Sequence, residues 1–385
     1  MTAVTTHQLL ARIEEIGPAI RDGAAEGERE RRIPEPVIKE LSRAGLFALA
    51  LPEDLGGLGC SVTETLRAVE AVSAHDASTG WVVAVANAHH VFTGYLDEDV
   101  VRQVFVPGTP VAAHLAPVGR ARAVEGGYVV KGQWPYTSGS PHADWLIGGI
   151  AVAPPDGASA EAATERRLAV MPRSEAELIE TWDVAGLRAT GSHDFRVDEL
   201  FVPAEFTCQM AHETRRRDDP LFAFPLYGWL AVILAPPALG IARRALDEVA
   251  TLASVKTPAR GGSGALRQRS VVQHEFAQAE AKLRGAQAFL YNTCDEVTAS
   301  IEGGGAASDE QRALLRLATT YAGSAGAEAT TTAYRLGGGT SNFESSALQR
   351  LLRDVNAVTQ HHLLSPLGYE LSGQTLLGGG LSPGM

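Results

Sequence analysis

The chain has 385 residues, which is too long for one ordinary hydrophobic core and suits two or three packed units. Hydrophobic residues make up 45% and charged residues 20%, a balance typical of soluble globular proteins and unlike disordered or collagen-like chains. The net charge of −12 disfavours binding to nucleic acid and to anionic membranes.

Cysteine spacing and the first residues bear on location. The cysteines lie far apart and form no CxxC pair, so neither a disulfide framework nor a zinc site is predicted. The N-terminal stretch carries Glu14 and Glu15 and lacks the apolar segment of a signal peptide. The sequence therefore predicts a cytoplasmic protein.

Apolar residues recur at helical spacing through the first hundred residues. The predicted helices span residues 5–29, 34–44, 61–74, 77–91 and 97–104. A Pro/Gly-rich stretch at 51–59 predicts a loop. Residues 1–108 are therefore expected to form an N-terminal helical domain.

The composition changes near residue 109, where short segments rich in Val, Ile and Trp are separated by Gly, Pro and Asp. The predicted strands are 111–117, 119–124, 127–134, 144–153, 167–172 and 195–202. The pair Gly126-Gly127 indicates a hairpin. We expect a largely antiparallel β domain over residues 109–217, with an insertion loop at 153–166.

Long amphipathic segments follow the β region and are separated by glycine-rich breaks. They span residues 221–254, 269–303, 308–336 and 344–362, with a shorter one at 365–376. Four long helices with short connections predict a C-terminal four-helix bundle over residues 218–385. The fold class is therefore α+β, and the lack of an alternating βαβ pattern disfavours a Rossmann domain.

A charge-free run of 22 residues, Leu221 to Ala242, is long enough to cross a bilayer. It contains Pro225, Pro236 and Pro237. We interpret it as a helix buried inside the bundle. The basic run Arg215 to Arg217 is followed directly by two aspartates and is interpreted as a solvated loop.

No nucleophile motif such as GxSxG, HExxH or SxxK occurs in the chain. Two histidine pairs stand out, His89-His90 and His361-His362. Adjacent helical residues diverge by about 100°, so neither pair forms a chelate and no metal site is predicted.

The segment from Gly132 to Gly139 reads GQWPYTSG and places two aromatic rings beside two hydroxyls at a strand end. A flavin site needs this mix of an aromatic wall and short polar side chains. A core Trp followed by a tight turn has the same composition, so both interpretations are open at this point.

Three segments together resemble the acyl-CoA dehydrogenase superfamily, in order and spacing over nearly the whole chain. The segment 132–139 is similar to the flavin-contacting strand of its flavin-dependent hydroxylase branch. The segment 182–194, WDVAGLRATGSHD, is followed by Phe201-Val202-Pro203, as in the family. The third segment begins at Leu336-Gly337-Gly338-Gly339 and continues to Arg353-Asp354. The resemblance implies the same α, β, four-helix order that the residue patterns predict.

One departure separates the branches of that superfamily. Common acyl-CoA dehydrogenases place a catalytic Glu about nine residues after the Arg of the R-D pair, where this chain has His362. No carboxylate occurs between Asp354 and Glu370. The hydroxylase branch has a His after R-D, which corresponds to His361, or to His362 if the register differs by one.

The resemblance also implies roles for individual residues. The expected flavin contacts are Trp81, Trp134, Thr137, Ser138, Gly139 and a phosphate-binding arginine, Arg260, with Arg267 and Arg269 as alternatives. Trp134 is expected to wall the flavin ring, and Thr137 and Ser138 to donate hydrogen bonds near N5 and O4. The expected catalytic groups are His361, His89 and Ser138.

Substrate contacts are expected from His89, His361, His362 and Phe224. An apolar pocket that includes Trp81, Phe92 and Phe222 would suit an aromatic or polycyclic molecule. His90 is expected to be structural.

The implied function is a two-component flavin-dependent monooxygenase. It would take reduced FMN from a separate reductase and use O2 to hydroxylate or N-oxygenate a small aromatic or polyketide-like substrate through a C4a-hydroperoxyflavin. FAD is the alternative cofactor, and Tyr334 stands where the dehydrogenases have a Gln for the adenine half. The family implies a homotetramer. The alternative functions are an FAD-dependent acyl-CoA dehydrogenase and a flavin-free binding relative.

Overall fold

A computed structural model describes residues 5–154, 165–257 and 264–382, apart from the side chain of His212. The first part of the chain is helical. Its helices are α1 (Thr6–Glu30), α2 (Glu35–Arg43), α3 (Val62–His75), α4 (Ala77–Ala88) and α5 (Glu98–Val104). Three of them begin at side-chain caps, because Thr5, Ser61 and Asp76 accept hydrogen bonds from the first turns of α1, α3 and α4.

Helix α4 differs from the prediction at its C-terminal end. The predicted helix 77–91 ends at Ala88, and a 3-10 segment continues from His89 to Gly94. All residues of this 3-10 segment are buried. His89 is therefore the first residue of the 3-10 segment and lies outside α4.

One seven-stranded sheet forms the middle of the chain. Its strands are β1 (Ala112–Val124), β2 (Gly127–Thr137), β3 (Trp145–Val152), β4 (Glu165–Pro172), β5 (Glu177–Ile179), β6 (His193–Pro203) and β7 (Thr207–Cys208). Their order is β5-β6-β2-β1-β3-β4-β7. Only β1 and β3 pair in parallel among the described strands, so the predicted antiparallel-rich sheet is confirmed.

The segments predicted as strands 111–117 and 119–124 form the single strand β1. Its pairing with β3 shifts between His114 and Gly119. The predicted break between the two segments falls within this irregular stretch. Gly126 has a φ of 78° in the turn between β1 and β2, as the predicted hairpin requires.

The rest of the chain is helical again. The helices are α6 (Pro220–Ala223), α7 (Leu226–Val232), α8 (Pro236–Val255), α9 (Ser270–Glu302), α10 (Asp309–Gly337), α11 (Ala347–Thr359) and α12 (Leu367–Leu376). The predicted helix 221–254 is three helices, because Pro225 and Pro236 cannot donate backbone hydrogen bonds and start new ones. Helix α10 packs against α8, α9 and α11 in the bundle.

The charge-free run lies in the interior. Within the described residues, Leu226–Val255 is long and apolar enough to span a membrane, and 83% of its most apolar window is buried in the protein. Core helices pass the same test, and the buried side chains of Trp229, Leu239 and Leu246 support the predicted bundle position.

Two hydrophobic cores hold the fold together. One is shared by the N-terminal helices and the bundle, with α3 packed on α8. Gly240 of α8 permits this approach, since a Cβ there would lie 2.3 Å from the carbonyl oxygen of Glu70. The second core lies against the sheet around Trp134. The predicted domain boundaries at 108 and 217 stay predictions; the outermost sheet residues are Ala112 and Cys208.

Candidate active site

Side chains from three distant parts of the chain meet in one cluster. Ser138 lies just beyond the end of β2, and Trp81 of α4 donates a hydrogen bond from Nε1 to Ser138 Oγ over 3.2 Å. The ring of His361, which follows α11, lies 5.7 Å from the ring of Trp81 at an angle of 60°. The sequence named all three residues as site residues, and the fold brings them together.

Local backbone geometry sets the direction of Ser138. The pairing of β2 with β6 shifts between Trp134 and Thr137, and Tyr136 in this bulge has a φ of 56°. Gly139 follows with a φ of 78°, and its backbone N–H donates to the carbonyl of Thr190 over 2.8 Å. The bulge and the turn together present Ser138, partly exposed, to α4.

A buried arginine holds the segment that carries His361. Arg316 of α10 is 5% exposed and donates to the backbone carbonyls of His362 and Leu363. No carboxylate pairs with it among the described residues. Arg316 therefore uses its hydrogen-bond donors to fix the loop after α11. Sequence reasoning missed it because no motif surrounds this arginine in its helix.

His361 is neutral and acts as a donor at one ring nitrogen. Burial, followed by the charges of His362 and Arg316, lowers the pKa of His361 to about 3. The backbone N–H of Leu363 donates to His361 Nδ1 over 3.3 Å. The proton of the neutral ring therefore lies on Nε2, which can donate a hydrogen bond.

His89 has the opposite tautomer. Its Nδ1 lies 2.7 Å from the carbonyl oxygen of Val111, which can only accept, so Nδ1 carries the proton and Nε2 carries the lone pair. Burial lowers the pKa of His89 to about 4. Eight residues of helix separate it from Trp81, roughly 12 Å along the axis. The two histidines are thus a donor, His361, beside Trp81 of α4, and an acceptor, His89, directly after α4.

A chain of hydroxyls leads inward from the cluster. Ser138 Oγ lies 2.7 Å from Ser192 Oγ, and Ser192 Oγ lies 2.7 Å from Thr190 Oγ1. Thr190 Oγ1 donates to the carbonyl of Leu187 over 2.8 Å. Asp354 accepts from the backbone N–H of Leu187 over 2.7 Å. The sequence placed these residues in family-like segments but assigned only Ser138 among them to the site.

The prediction that Trp134 walls a flavin ring is wrong. Trp134 is fully buried, donates from Nε1 to the carbonyl of Gly149 over 2.8 Å, and stacks on Phe195 with ring centroids 4.7 Å apart. Three glycines pack against the ring, so that neither edge nor face is open to a ligand: Gly119, Gly132 and Gly148. Trp134 is a core residue of the sheet.

Two other predicted flavin contacts are closed in the same way. Thr137 is 0% exposed, and its Oγ1 lies 3.4 Å from the carbonyl of Trp134. Gly139 is buried, and its N–H is already bonded to Thr190. The expected hydrogen bond from Thr137 to flavin is therefore wrong, and Gly139 serves the turn.

The remaining predicted contacts are partly located. His362 is exposed, and its ring lies beside that of His361 with centroids 4.7 Å apart and planes tilted by 33°. His361 is the histidine that contacts Trp81. Phe224 lies before α7 with its ring 3.6 Å from where a Cβ on Gly228 would be, and its contact with substrate stays a prediction. His90 is buried against Phe105, as a structural residue would be.

The phosphate-binding arginine stays a prediction. Arg260 lies outside the described residues, whereas Arg267 and Arg269 lie just before α9. The basic run is not the freely solvated loop that the sequence suggested, because Arg216 pairs with Asp97 and Arg217 with Asp54. Two cavities of about 340 and 380 Å³ flank this run.

The cluster fits the reactive edge of a flavin. Ser138 is a partly exposed hydroxyl, and His361 adds an N–H donor beside the Trp81 ring. A flavin presents N5 next to the C4 carbonyl, so a hydroxyl and an N–H donor that both adjoin Trp81 match its polar groups.

Comparison with known proteins gives a consistent result. Family models described as acyl-CoA dehydrogenase, N-terminal domain and C-terminal domain match residues 14–96 and 232–366. An indole-3-acetate monooxygenase from Pseudomonas putida is 34% identical, over 95% of this chain and 93% of its own. The oxygenase component of an FADH2-dependent resorcinol hydroxylase from Rhizobium sp. is 28% identical, over 92% and 90%.

A solved structure extends the likeness to three dimensions. XiaF from Streptomyces sp., in complex with FADH2 and glycerol, superposes with a TM-score of 0.91 and 26% identity. The superposition covers 98% of this chain and 96% of that one.

Proposed function

This chain belongs to the acyl-CoA dehydrogenase family, in its flavin-dependent monooxygenase branch, and from that premise we propose a reaction and roles for its residues. The protein is the oxygenase of a two-component system: it uses reduced flavin supplied by a separate reductase, together with O2. The proposal is that it oxygenates an aromatic ring bearing a hydroxyl or a ring N–H. The observation that carries it is the cluster of Trp81, Ser138 and His361.

The bound flavin supplies the two electrons that activate O2, and the protein supplies polar groups of fixed direction. Ser138 would hold the N5 edge of the flavin. His361 donates from Nε2 to an oxygen atom that develops negative charge, and it does so while neutral because its pKa is about 3. Burial of Trp81 helps to keep water from the same place.

His89 is proposed to orient the substrate. Its Nε2 lone pair accepts a hydrogen bond from a phenolic O–H or an indole N–H, which polarises the ring toward oxygenation. The stacked Phe92 holds the imidazole plane, with ring centroids 5.7 Å apart. A substrate with a donor on an apolar bicyclic or monocyclic ring satisfies both requirements, and N-oxygenation of an amine is the second candidate.

The flavin is proposed to be FMN, with FAD as the alternative. Tyr334 donates its hydroxyl to Asn342, which occupies the side chain at the position of the adenine-binding Gln of the dehydrogenases. XiaF was solved in complex with FADH2, and the resorcinol hydroxylase is FADH2-dependent by name, which supports the FAD alternative. Titration of the protein with each reduced flavin decides between them.

We also propose a homotetramer in the cytoplasm. Apolar side chains of the last helix are exposed on the single chain, among them Leu367, Leu376 and Leu377, which is 90% exposed. A soluble chain rarely leaves such side chains together in water, and an interface between copies would cover them.

The function is tested with a panel of indoles and phenols, supplied with reduced FMN or FAD under ¹⁸O2. We expect a product heavier by one ¹⁸O atom for a substrate with a ring N–H or O–H, and no turnover with the N- or O-methyl analogue. Oxygenation of the parent compound and of its methyl analogue at equal rates would contradict the proposed role of His89. Reduction of bound oxidised flavin by an acyl-CoA would contradict the function itself.

A further inference from the structure

The hydroxyl chain behind Ser138 has a defined hydrogen direction. The carbonyl oxygen of Leu187 can only accept, so Thr190 uses its one hydrogen in the 2.8 Å contact with it. Thr190 Oγ1 must then accept from Ser192 at 2.7 Å. Ser192 has thereby used its own hydrogen and must accept from Ser138, also at 2.7 Å.

The reverse direction is disfavoured by a specific contact. If Thr190 donated to Ser192 instead, Thr190 Oγ1 and the Leu187 carbonyl would lie 2.8 Å apart with no hydrogen between them. Two facing lone pairs at this distance repel each other, and both atoms are buried. Trp182 Nε1 and the backbone N–H of Thr190 also donate to this carbonyl, over 2.9 and 3.2 Å, but neither places a hydrogen between the two oxygen atoms.

Ser138 is consequently an acceptor toward anything outside the chain. Its hydrogen points to Ser192, and Trp81 Nε1 donates to one of its lone pairs. One lone pair stays available on a side chain that is partly exposed. This direction is opposite to the donation from Ser138 that the sequence suggested.

We propose that Thr190 and Ser192 are positioning residues that fix Ser138 as a hydrogen-bond acceptor, so that the site binds reduced flavin in preference to oxidised flavin. Reduced flavin carries a hydrogen on N5, which Ser138 can accept. Oxidised flavin has a lone pair on N5, which would face the lone pair of Ser138. The inference rests on the proposed placement of the flavin N5 edge at Ser138.

This selectivity suits an oxygenase that receives its flavin reduced and must release it oxidised. The discrimination comes from residues behind the site that never touch the flavin. The preference for reduced flavin can therefore be measured by binding alone, without turnover.

The test compares dissociation constants for reduced FMN, titrated anaerobically, and oxidised FMN, titrated in air. Wild-type protein is expected to bind the reduced form about tenfold more tightly or better, because one hydrogen bond is replaced by a repulsive contact. Thr190→Val removes the acceptor of Ser192, which then donates to Ser138 and frees the hydrogen of Ser138. The preference should fall about tenfold, equivalent to lowering the two-electron potential of bound flavin by about 30 mV.

Three further variants keep the result interpretable. Ser192→Ala removes the acceptor of the Ser138 hydrogen and should lower the preference in the same way, which guards against misfolding of Thr190→Val. Thr190→Ser retains the hydroxyl and should retain the wild-type preference. Thr330→Val is the matched control, since Thr330 is a buried threonine that donates to the carbonyl of Gly326 over the same 2.8 Å.

Each outcome has one meaning. An unchanged preference in Thr190→Val and Ser192→Ala, with flavin still bound, overturns the inference and leaves the proposed function intact. An equal loss in Thr190→Ser or in Thr330→Val attributes the effect to packing and also overturns it. If wild-type protein binds neither redox state, the proposed function fails together with the inference.

Discussion

At the scale of single residues, two neutral histidines with opposite tautomers give the site its polarity. The tautomers follow from one backbone partner each, the carbonyl of Val111 for His89 and the N–H of Leu363 for His361. Sequence spacing identified both histidines, and the choice between His361 and His362 needed the fold. This choice depends on the conformation of the loop that Arg316 holds, because the direction of a side-chain ring cannot be predicted from sequence alone.

The role of His361 predicts a loss of coupling when its donor is removed. In His361→Ala, the ratio of oxygenated product to released H2O2 should fall at least about tenfold, because the loss of one preorganised donor costs this much or more. His274→Ala is the control, since His274 is an exposed histidine on α9. Unchanged coupling in His361→Ala would sink the assignment.

The same role predicts the pH response. Because the pKa of His361 lies near 3 and that of His89 near 4, neither ring changes charge between pH 5.5 and 8.5. The coupling ratio should be flat over this range, measured from product and peroxide yields. An inflection near pH 6.5 that disappears in His361→Ala would show that the ring is protonated in use and would contradict the donor role.

At the scale of elements, the site is made where α4, the end of β2 and the segment before β6 meet. Most helices could be predicted, because caps, prolines and apolar spacing act locally. The hydroxyl chain could not, since Ser138 follows β2 and Ser192 precedes β6, and these two residues, 54 positions apart, meet only when the two strands pair in the folded sheet. Trp134 was misassigned for the same reason, because two of the three glycines that enclose its ring, Gly119 and Gly148, lie on other strands.

Asp354 at the base of this junction predicts a pH-dependent stability. Burial, and then the charge of Asp76, raise the pKa of Asp354 to about 7, against the opposing effects of the Leu187 N–H, Arg350 and Arg353. The folded state thus holds this proton more tightly than the unfolded state between about pH 4 and 7. The contribution of Asp354 to the free energy of unfolding falls as pH rises through this window and is constant above it.

Asp354→Asn removes this titration and can still accept from Leu187. The free energy of unfolding of the variant minus that of wild type should therefore be larger at pH 8 than at pH 5, by on the order of 1–3 kcal/mol. Urea denaturation at both pH values measures the difference, with Asp22→Asn, an exposed aspartate of α1, as the control. Parallel pH dependence in wild type and Asp354→Asn would contradict the raised pKa.

At the scale of the whole molecule, the site is shared by all three regions, and no one of them contains it. The α–β–α order was readable from composition and periodicity, and the seven strands and the broken helix at Pro225 and Pro236 refined it. The monooxygenase branch was readable from the histidines after Asp354. The hydrogen directions on which the chemistry depends came only from contacts in the folded chain, some between regions, as for Trp81 and Ser138, and some local, as for Leu363 and His361.

The central claim is that the protein takes up reduced flavin and uses it to activate O2. It is tested most directly by mixing the protein, loaded anaerobically with reduced flavin, with oxygenated buffer in a stopped-flow spectrometer. We predict a transient absorbance that belongs to neither reduced nor oxidised flavin and that lasts longer than with free flavin, because the cluster of the buried Trp81 with Ser138 and His361 shields the reactive edge of the flavin from water. Direct conversion to oxidised flavin, at the rate of flavin free in solution, would contradict the account.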